Sequence, residues 1–167
     1  AHIIIYVCNS VNTLKDSHKE IIRKVLRDYN KLESTIFVIN KMDDVADTND
    51  EEEYKEVSEI KRNTFIERLR QVIGLTPDEE KVLNIACIAA NPKAKGLSAW
   101  FEKPEEYNRR SHISQLATCV TIVTQNSYVA VLHNNTNLAV AKDIAQAIAI
   151  SVSNKVVQLK TALAEVN

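Results

Sequence analysis

The 167-residue chain has the size of one ordinary domain, or of one domain with an appended segment. Hydrophobic residues make up 45 % and charged residues 26 %, and 21 basic side chains against 22 acidic ones leave a net charge of −1. This balance argues against a nucleic-acid partner and against a disordered acidic tail. The chain has only two glycines, Gly74 and Gly96, which favours long helices over a turn-rich β fold and excludes a glycine-rich phosphate loop.

The three cysteines, Cys8, Cys87 and Cys119, lie in apolar runs without C-x-x-C spacing. This pattern indicates buried thiols in a reducing cytosol rather than a disulfide framework. No apolar stretch reaches the ~18 residues that a membrane-spanning helix needs, so we expect a cytoplasmic protein. The chain opens abruptly in an apolar run without an initiator methionine, which indicates a piece of a longer protein.

The first part of the chain alternates apolar runs with helical periodicity. Residues 3–8 and 35–39 are β-branched apolar runs, typical of strands buried on both faces in a parallel sheet. Apolar residues in the segment 21–29 recur at helical spacing, which gives a strand–helix–strand unit. Residues 82–88 form a third apolar run. The sequence therefore predicts an α/β fold with a mostly parallel sheet.

An acidic loop over residues 43–53 precedes a second predicted helix. The spacing of Thr48 and Glu51 predicts a capping box at its start, and Gly74 is expected to end it as a C-cap. Thr76 and Pro77 then repeat the signal for a helix start.

Beyond Gly96 the pattern becomes helical. Residues 113–123 fit one helix, and from position 138 small or apolar residues recur every three or four positions as far as Leu163. A periodic run of about 25 residues or more is typical of an antiparallel bundle or coiled coil. Residues 119–132 also have the propensities of a β-hairpin, but the helices on both sides favour a helix.

The most informative motif is Asn40-Lys41-Met42-Asp43, directly after the second predicted strand. Ligands of open α/β sheets bind outside the carboxyl ends of the strands, so a loop at this point is well placed. The Asp43 carboxylate can accept two parallel hydrogen bonds, and guanine offers an N1–H and an exocyclic amine in that geometry, whereas adenine does not. Asn40 can donate to the acceptor edge of the purine, and the apolar stem of Lys41 can cover the base.

The same residues have an ordinary explanation, in which Asn40 and Asp43 cap the next helical element. N-K-x-D is expected by chance in roughly one chain in fifty of this length. Its position after a buried strand makes coincidence rarer still, so we favour the nucleotide interpretation.

This motif resembles the N-K-x-D guanine motif of GTPase domains in the translation-factor and dynamin-like class. The segment 89–91 occupies the place of the family's weaker Ser-Ala-Lys motif, whose backbone amide contacts the guanine oxygen, although a strand end and turn before Pro92 explain it almost as well. The resemblance implies GTP or GDP as the ligand. The guanine-binding residues it implies are Asn40, Lys41, Asp43, Ala89, Ala90 and Asn91.

The family's phosphate-binding motifs, G-x-x-x-x-G-K-[ST] and D-x-x-G, are missing from the chain. The resemblance implies that residues 1–125 are the C-terminal half of a P-loop-type GTPase domain and that residues 126–167 are a helical neck or stalk. The intact protein would then bind Mg²⁺ and hydrolyse GTP, with no catalytic residue in this chain. Half of a parallel sheet would also leave an apolar strand edge unpaired.

The long glycine-poor helical segment after these motifs is most similar to dynamin-like proteins, in particular to bacterial members of the LeoA kind. That resemblance implies a homodimer formed through GTPase domains and peripheral membrane association or remodelling through regions outside this chain. Two alternatives remain open. One is a simpler translation-factor-like GTPase with a terminal helix, and the other is a non-enzymatic helical interaction module.

No metal site is predicted. The acidic residues 43–53 lack the glycine of a calcium-binding loop, so a solvated loop is the better interpretation. The four histidines show no ligand spacing with the cysteines.

Overall fold

A computed structural model describes residues 3–126 and 129–166 of the chain. Its strands are β1 (Ile4–Asn9), β2 (Thr35–Asn40) and β3 (Asn84–Cys87). Its helices are α1 (Lys19–Arg23), α2 (Glu51–Ile73), α3 (Pro77–Lys81), α4 (Leu97–Phe101), α5 (Pro104–Ser111), α6 (Ile113–Asn126) and α7 (Val129–Val166). Three short segments form 3-10 helical turns: Asp16–His18, Met42–Asp44 and Pro92–Ala94. A π-helical segment, Lys24–Asp28, continues α1.

The three strands form one parallel sheet in the order β1-β2-β3, which confirms the predicted α/β class. In the register of the sheet, Asn9 lies opposite Asn40, and Ile39 lies opposite Cys87. The carboxyl ends of all three strands therefore meet at one edge of the sheet, where loops from each can contact one another.

β2 is the central strand, and its continuous apolar sequence is explained by burial on both faces. On one face, Phe37 packs against Phe65 of α2, with ring centroids 5.1 Å apart. On the other face, Ile36 and Val38 belong to a cluster with Cys119 and Val123 of α6. Full burial of such side chains is the main favourable term for this fold.

β1 is the first strand in the order, and the prediction that it is buried on both faces is wrong. Ile5 and Val7 remain 50 % and 56 % exposed. The reason is that α6 packs mainly over β2 and β3. Within the described residues, β1 has no strand on its outer side, in agreement with the expected unpaired edge.

α2 begins differently from the sequence prediction. The Asp50 side chain accepts hydrogen bonds from the N–H groups of Glu52 and Glu53, at 3.0 Å each, so Asp50 is the N-cap. Thr48 is buried instead, and its hydroxyl has no hydrogen-bond partner among the residues that the structure describes. An aspartate next to the first turn also complements the helix dipole, which a threonine does not.

The end of α2 and the start of α3 follow the sequence prediction. Gly74 has φ 63° and ends α2 in the left-handed conformation that glycine adopts at low cost. Thr76 forms a capping box with Glu79, and Pro77 occupies the first turn of α3.

Arg27, in the π-helical segment after α1, connects that segment to the turn between α2 and α3. Its guanidinium donates to the carbonyl oxygens of Ile73 (2.9 Å) and Gly74 (3.1 Å) and forms a two-armed ion pair with the Glu79 carboxylate. The hydrogen bonds from Arg27 are the main cause that lowers the pKa of Glu79 from 4.5 to about 2. The charged form of Glu79 is therefore the one that the folded protein stabilises.

We expect this carboxylate to make stability fall in acid. Because the folded pKa is depressed, its contribution is present above pH 4.5 and is lost as the pH falls towards 2. Glu79→Gln should be less stable than the wild type at pH 7 and should show a flatter loss between pH 4.5 and 2, measured by urea unfolding across that range. Asp78→Asn, an exposed carboxylate in the same helix, should keep the wild-type slope; equal slopes in all three proteins would contradict the assignment.

The C-terminal third is helical, as predicted, with α6 and α7 in place of a hairpin; residues 127 and 128 lie outside the described residues. Along α7 the predicted apolar positions face solvent, including Ile148, Val152 and Val156; the Leu163 side chain lies outside the described residues. α7 contacts the α/β part through Asp143, which accepts a 2.6 Å hydrogen bond from the Tyr29 hydroxyl.

Candidate guanine-recognition site

The NKMD segment (residues 40–43) lies where β2 ends, between the loops that follow β1 and β3. Asn40 is the last residue of β2, and the next residues form the 3-10 turn Met42–Asp44. The Met42 side chain is fully buried, and its N–H donates to the carbonyl oxygen of Ile88 at 3.1 Å. The buried Met42 side chain thus anchors the segment, while Lys41 and Asp43 on either side of it are accessible to solvent.

Asn40 connects β2 to the loop after β3, which we call the β3 loop (residues 88–96). Its Oδ1 accepts hydrogen bonds from the N–H groups of Lys41 (2.8 Å) and Ala90 (2.9 Å). No hydrogen bond from its amide nitrogen is formed within the part of the chain that the structure describes. Asn40 therefore holds the two loops together with its oxygen and keeps two N–H donors for another partner.

Asp43 makes the second connection to the β3 loop. Its Oδ2 accepts a hydrogen bond from the Lys93 N–H at 2.8 Å, and the side chain is half-buried. Among the described residues nothing donates to Oδ1. The carboxylate is thus held in one orientation by the backbone of the β3 loop while retaining acceptor capacity on both oxygens.

These contacts differ from the helix-capping role that is the ordinary explanation of the motif. Neither Asn40 nor Asp43 caps the following α-helix, because α2 is capped by Asp50. The residue before the 3-10 turn, Lys41, also makes no side-chain cap hydrogen bond. Asn40 and Asp43 instead accept hydrogen bonds from the β3 loop.

Backbone strain is concentrated at the same place. Lys41 (φ 61°), Lys93 (φ 56°) and Ala94 (φ 53°) all have left-handed conformations without being glycine. Each costs about 1–2 kcal/mol relative to an ordinary conformation. Strain of this kind persists where surrounding contacts enforce it, and it is common at functional sites.

The segment 89–91 lies next to Asn40, as predicted, but its three amides differ in availability. Ala89 is fully buried and its N–H donates to the carbonyl oxygen of Ser111 at 2.9 Å, while the Ala90 N–H is taken by Asn40. The Asn91 N–H has no acceptor among the described residues, and the Asn91 side chain accepts from the Gly96 N–H at 2.8 Å. Asn91 is therefore the member of this segment whose amide is left for a ligand.

Two aromatic residues, Trp100 of α4 and Tyr107 of α5, form hydrogen bonds with the β3 loop. Trp100 is 1 % exposed, and its indole N–H donates to the carbonyl oxygen of Pro92 at 3.2 Å. The Tyr107 hydroxyl donates to the carbonyl oxygen of Ala90 at 3.1 Å. These two hydrogen bonds hold the backbone of the β3 loop in place, as expected for a site that is organised before its ligand binds.

A cavity of about 670 Å³ lies elsewhere, along the outer edge of β3 between α2 and α6. There, Gln115 accepts from the Cys87 N–H (3.2 Å) and Tyr54 donates to the Cys87 carbonyl oxygen (2.9 Å), so side chains cap this edge of the sheet. His112 stacks on Tyr54 with ring centroids 3.6 Å apart, and burial lowers the pKa of His112. This cavity is separate from the NKMD segment.

Comparison with known proteins identifies the family of this chain. A family model described as a dynamin-like helical domain matches residues 75–167, which is more than half of the chain. The chain therefore belongs to the dynamin-like family. Among solved structures, it is similar to the LeoA bacterial dynamin GTPase from ETEC, with 44 % sequence identity and a TM-score of 0.77. That match covers 86 % of this chain and 26 % of the LeoA chain, and no curated protein sequence matches.

Family membership confirms the predicted resemblance to dynamin-like proteins, and it favours that interpretation over a translation-factor-like GTPase with one terminal helix. It does not bear on the other alternative, a non-enzymatic helical interaction module. No helix within the described residues of this dynamin-like chain is both long and apolar enough to cross a membrane.

Two residues that contact the NKMD segment, Ser10 and Lys93, were not predicted from the sequence. Ser10 donates to both Asn40 and Lys41 from the end of β1, and the Lys93 backbone orients Asp43. Ser10 was within reach of sequence analysis, because it follows the first strand as Lys41 follows the second, and such ends meet in a parallel sheet. The Lys93 contact depends on the left-handed turn of the β3 loop, for which the sequence carries no glycine signal.

Proposed function

We propose that the NKMD segment and the β3 loop form the guanine-recognition half of a GTPase site. Asp43 would accept from the N1–H and the exocyclic amine of the base, and Asn40 would donate its amide N–H to the purine's acceptor edge. The Lys41 stem would cover the base, and the Asn91 N–H would face the guanine oxygen, with Ala89 and Ala90 supporting that loop. The observation that carries the proposal is the Asp43 carboxylate, held at the exit of β2 by Lys93 with acceptor capacity to spare.

GTP hydrolysis is proposed for the intact protein only. The 167 residues contain no G-x-x-x-x-G-K-[ST] motif, and the chain spans 26 % of the length of the LeoA structure that it matches. Within the described residues, no group of three or more histidine, cysteine or carboxylate side chains is placed to hold a metal ion. We propose that residues outside this chain bind the phosphates and Mg²⁺.

The wider roles of dynamin-like proteins extend this proposal. We infer a homodimer through GTPase domains and peripheral membrane association through regions outside this chain, in a protein of the cytoplasm. We also propose that residues 1–125 belong to the GTPase domain and residues 126–167 to a helical neck. The position of α6 on the sheet and the solvent-facing apolar side chains of α7 support a boundary between the two helices.

The base preference of the intact protein tests the proposal. We expect GDP to bind at least about 1,000-fold more tightly than ADP, because a site that pairs a half-buried carboxylate with two donors rejects the analogue that lacks them. IDP, which lacks only the exocyclic amine, should bind about 10- to 100-fold more weakly than GDP, the value of one hydrogen bond to a charged group. Isothermal titration calorimetry measures all three; equal affinities would overturn the proposal.

A further inference from the structure

Ser10 occupies an unusual position at the end of β1. It is 1 % exposed, its N–H donates to the Asn40 carbonyl oxygen at 2.9 Å, and its hydroxyl donates to the Lys41 carbonyl oxygen at 2.7 Å. Two consecutive carbonyl groups of the NKMD segment are therefore fixed by one residue of the neighbouring strand.

The second of these hydrogen bonds acts at the strained point of the segment. Lys41 has φ 61° and ψ 43°, a conformation that a non-glycine residue leaves when nothing enforces it. Lys41 immediately precedes the turn that carries Asp43, so the direction of its carbonyl group determines how that turn leaves β2. On the opposite side, the turn is held by the bond from the Met42 N–H to Ile88.

We propose that Ser10 is a positioning residue that sets the base selectivity of the site by holding Lys41 in its left-handed conformation. This inference rests on the proposed function. Ser10 is buried and does not contact the base. It acts through Lys41 on the orientation of Asp43, and so on whether both donors of guanine reach the carboxylate.

A matched pair of serine variants of the intact protein tests the role. Ser34 is also buried, and its hydroxyl also donates to a lysine carbonyl oxygen, that of Lys31, but it precedes β2 at the opposite end of the sheet. Ser10→Ala and Ser34→Ala should lower the melting temperature by similar amounts. Only Ser10→Ala should weaken GDP binding, by about tenfold, and lower the wild-type preference for GDP over IDP by a similar factor.

The ratio of GDP to IDP affinity separates a positioning role from a structural one, because a general loss of stability weakens both nucleotides equally. If Ser10→Ala does not fold, the ratio is measured on Ser10→Cys, which has the same shape with a slightly larger atom and is a weaker donor. A wild-type protein with no preference for GDP overturns the proposed function. A wild-type preference that persists in the Ser10 variant overturns this inference alone.

Discussion

Replacement of Asp43 by asparagine is expected to change the preferred base of the intact protein from guanine to xanthine. The asparagine oxygen can keep the hydrogen bond from the Lys93 N–H, which leaves its NH₂ group towards the base. An NH₂ group opposes the two donors of guanine and matches the second carbonyl group of xanthine. We expect GDP affinity to fall by about 100-fold or more and XDP to become the tighter ligand.

The neighbouring residue provides the control. Asp44 belongs to the same 3-10 turn and is exposed, so Asp44→Asn makes the same chemical change without altering the carboxylate that Lys93 orients. It should retain the wild-type order of affinities. Competition titrations with GDP, XDP and ADP distinguish the outcomes: GDP affinity that is unchanged in Asp43→Asn would show that this carboxylate does not contact the base.

The central part of the fold was predictable because the local signals agree with the tertiary structure. The apolar run of β2 is buried on both faces, and Gly74 and Thr76 have the conformations that their residue types favour. β1 has an equally apolar sequence but a half-exposed face. A run of apolar residues predicts that both faces of a strand are buried. It does not predict which segments pack on those faces, or whether they belong to this chain segment.

The sequence predicted where the candidate residues lie in the sheet, but only part of the hydrogen bonding among them. N-K-x-D at a strand end places Asn40 and Asp43 at the edge of the sheet where the carboxyl ends of the parallel strands meet, which is where they lie in the structure. Which amides of the segment 89–91 remain available depends on long-range contacts, such as that between Ala89 and Ser111. Contacts of this kind join residues that no local pattern relates.

The helical part illustrates the same limit. Periodicity identified a helix of unusual length, and α7 spans Val129–Val166. The apolar side chains that the periodicity was expected to bury, Ile148 and Val152 among them, are exposed. Helical spacing thus predicts the element and its apolar positions, while the surface that they contact must be found by other means.

Two substitutions of Asn40 are expected to separate its structural role from its role towards the base. Asn40→Ala removes the acceptor for the Lys41 and Ala90 N–H groups, and we expect the free energy of unfolding to fall by about 1–3 kcal/mol. Asn40→Asp keeps an acceptor for both N–H groups, so its stability should remain close to that of the wild type. Both variants lack the amide donor proposed to contact the purine, and both should bind GDP about 10- to 100-fold more weakly.

Urea unfolding and calorimetry on the same two variants measure the two effects independently. Asn49→Ala, which removes an exposed asparagine from the loop before α2, should leave both measurements near the wild type. If Asn40→Asp binds GDP as the wild type does, the amide donor has no part in base recognition, and Asn40 only connects the loops. If instead Asn40→Asp is stable and binds weakly while Asn40→Ala is both unstable and weak, one side chain performs both tasks with its two different atoms.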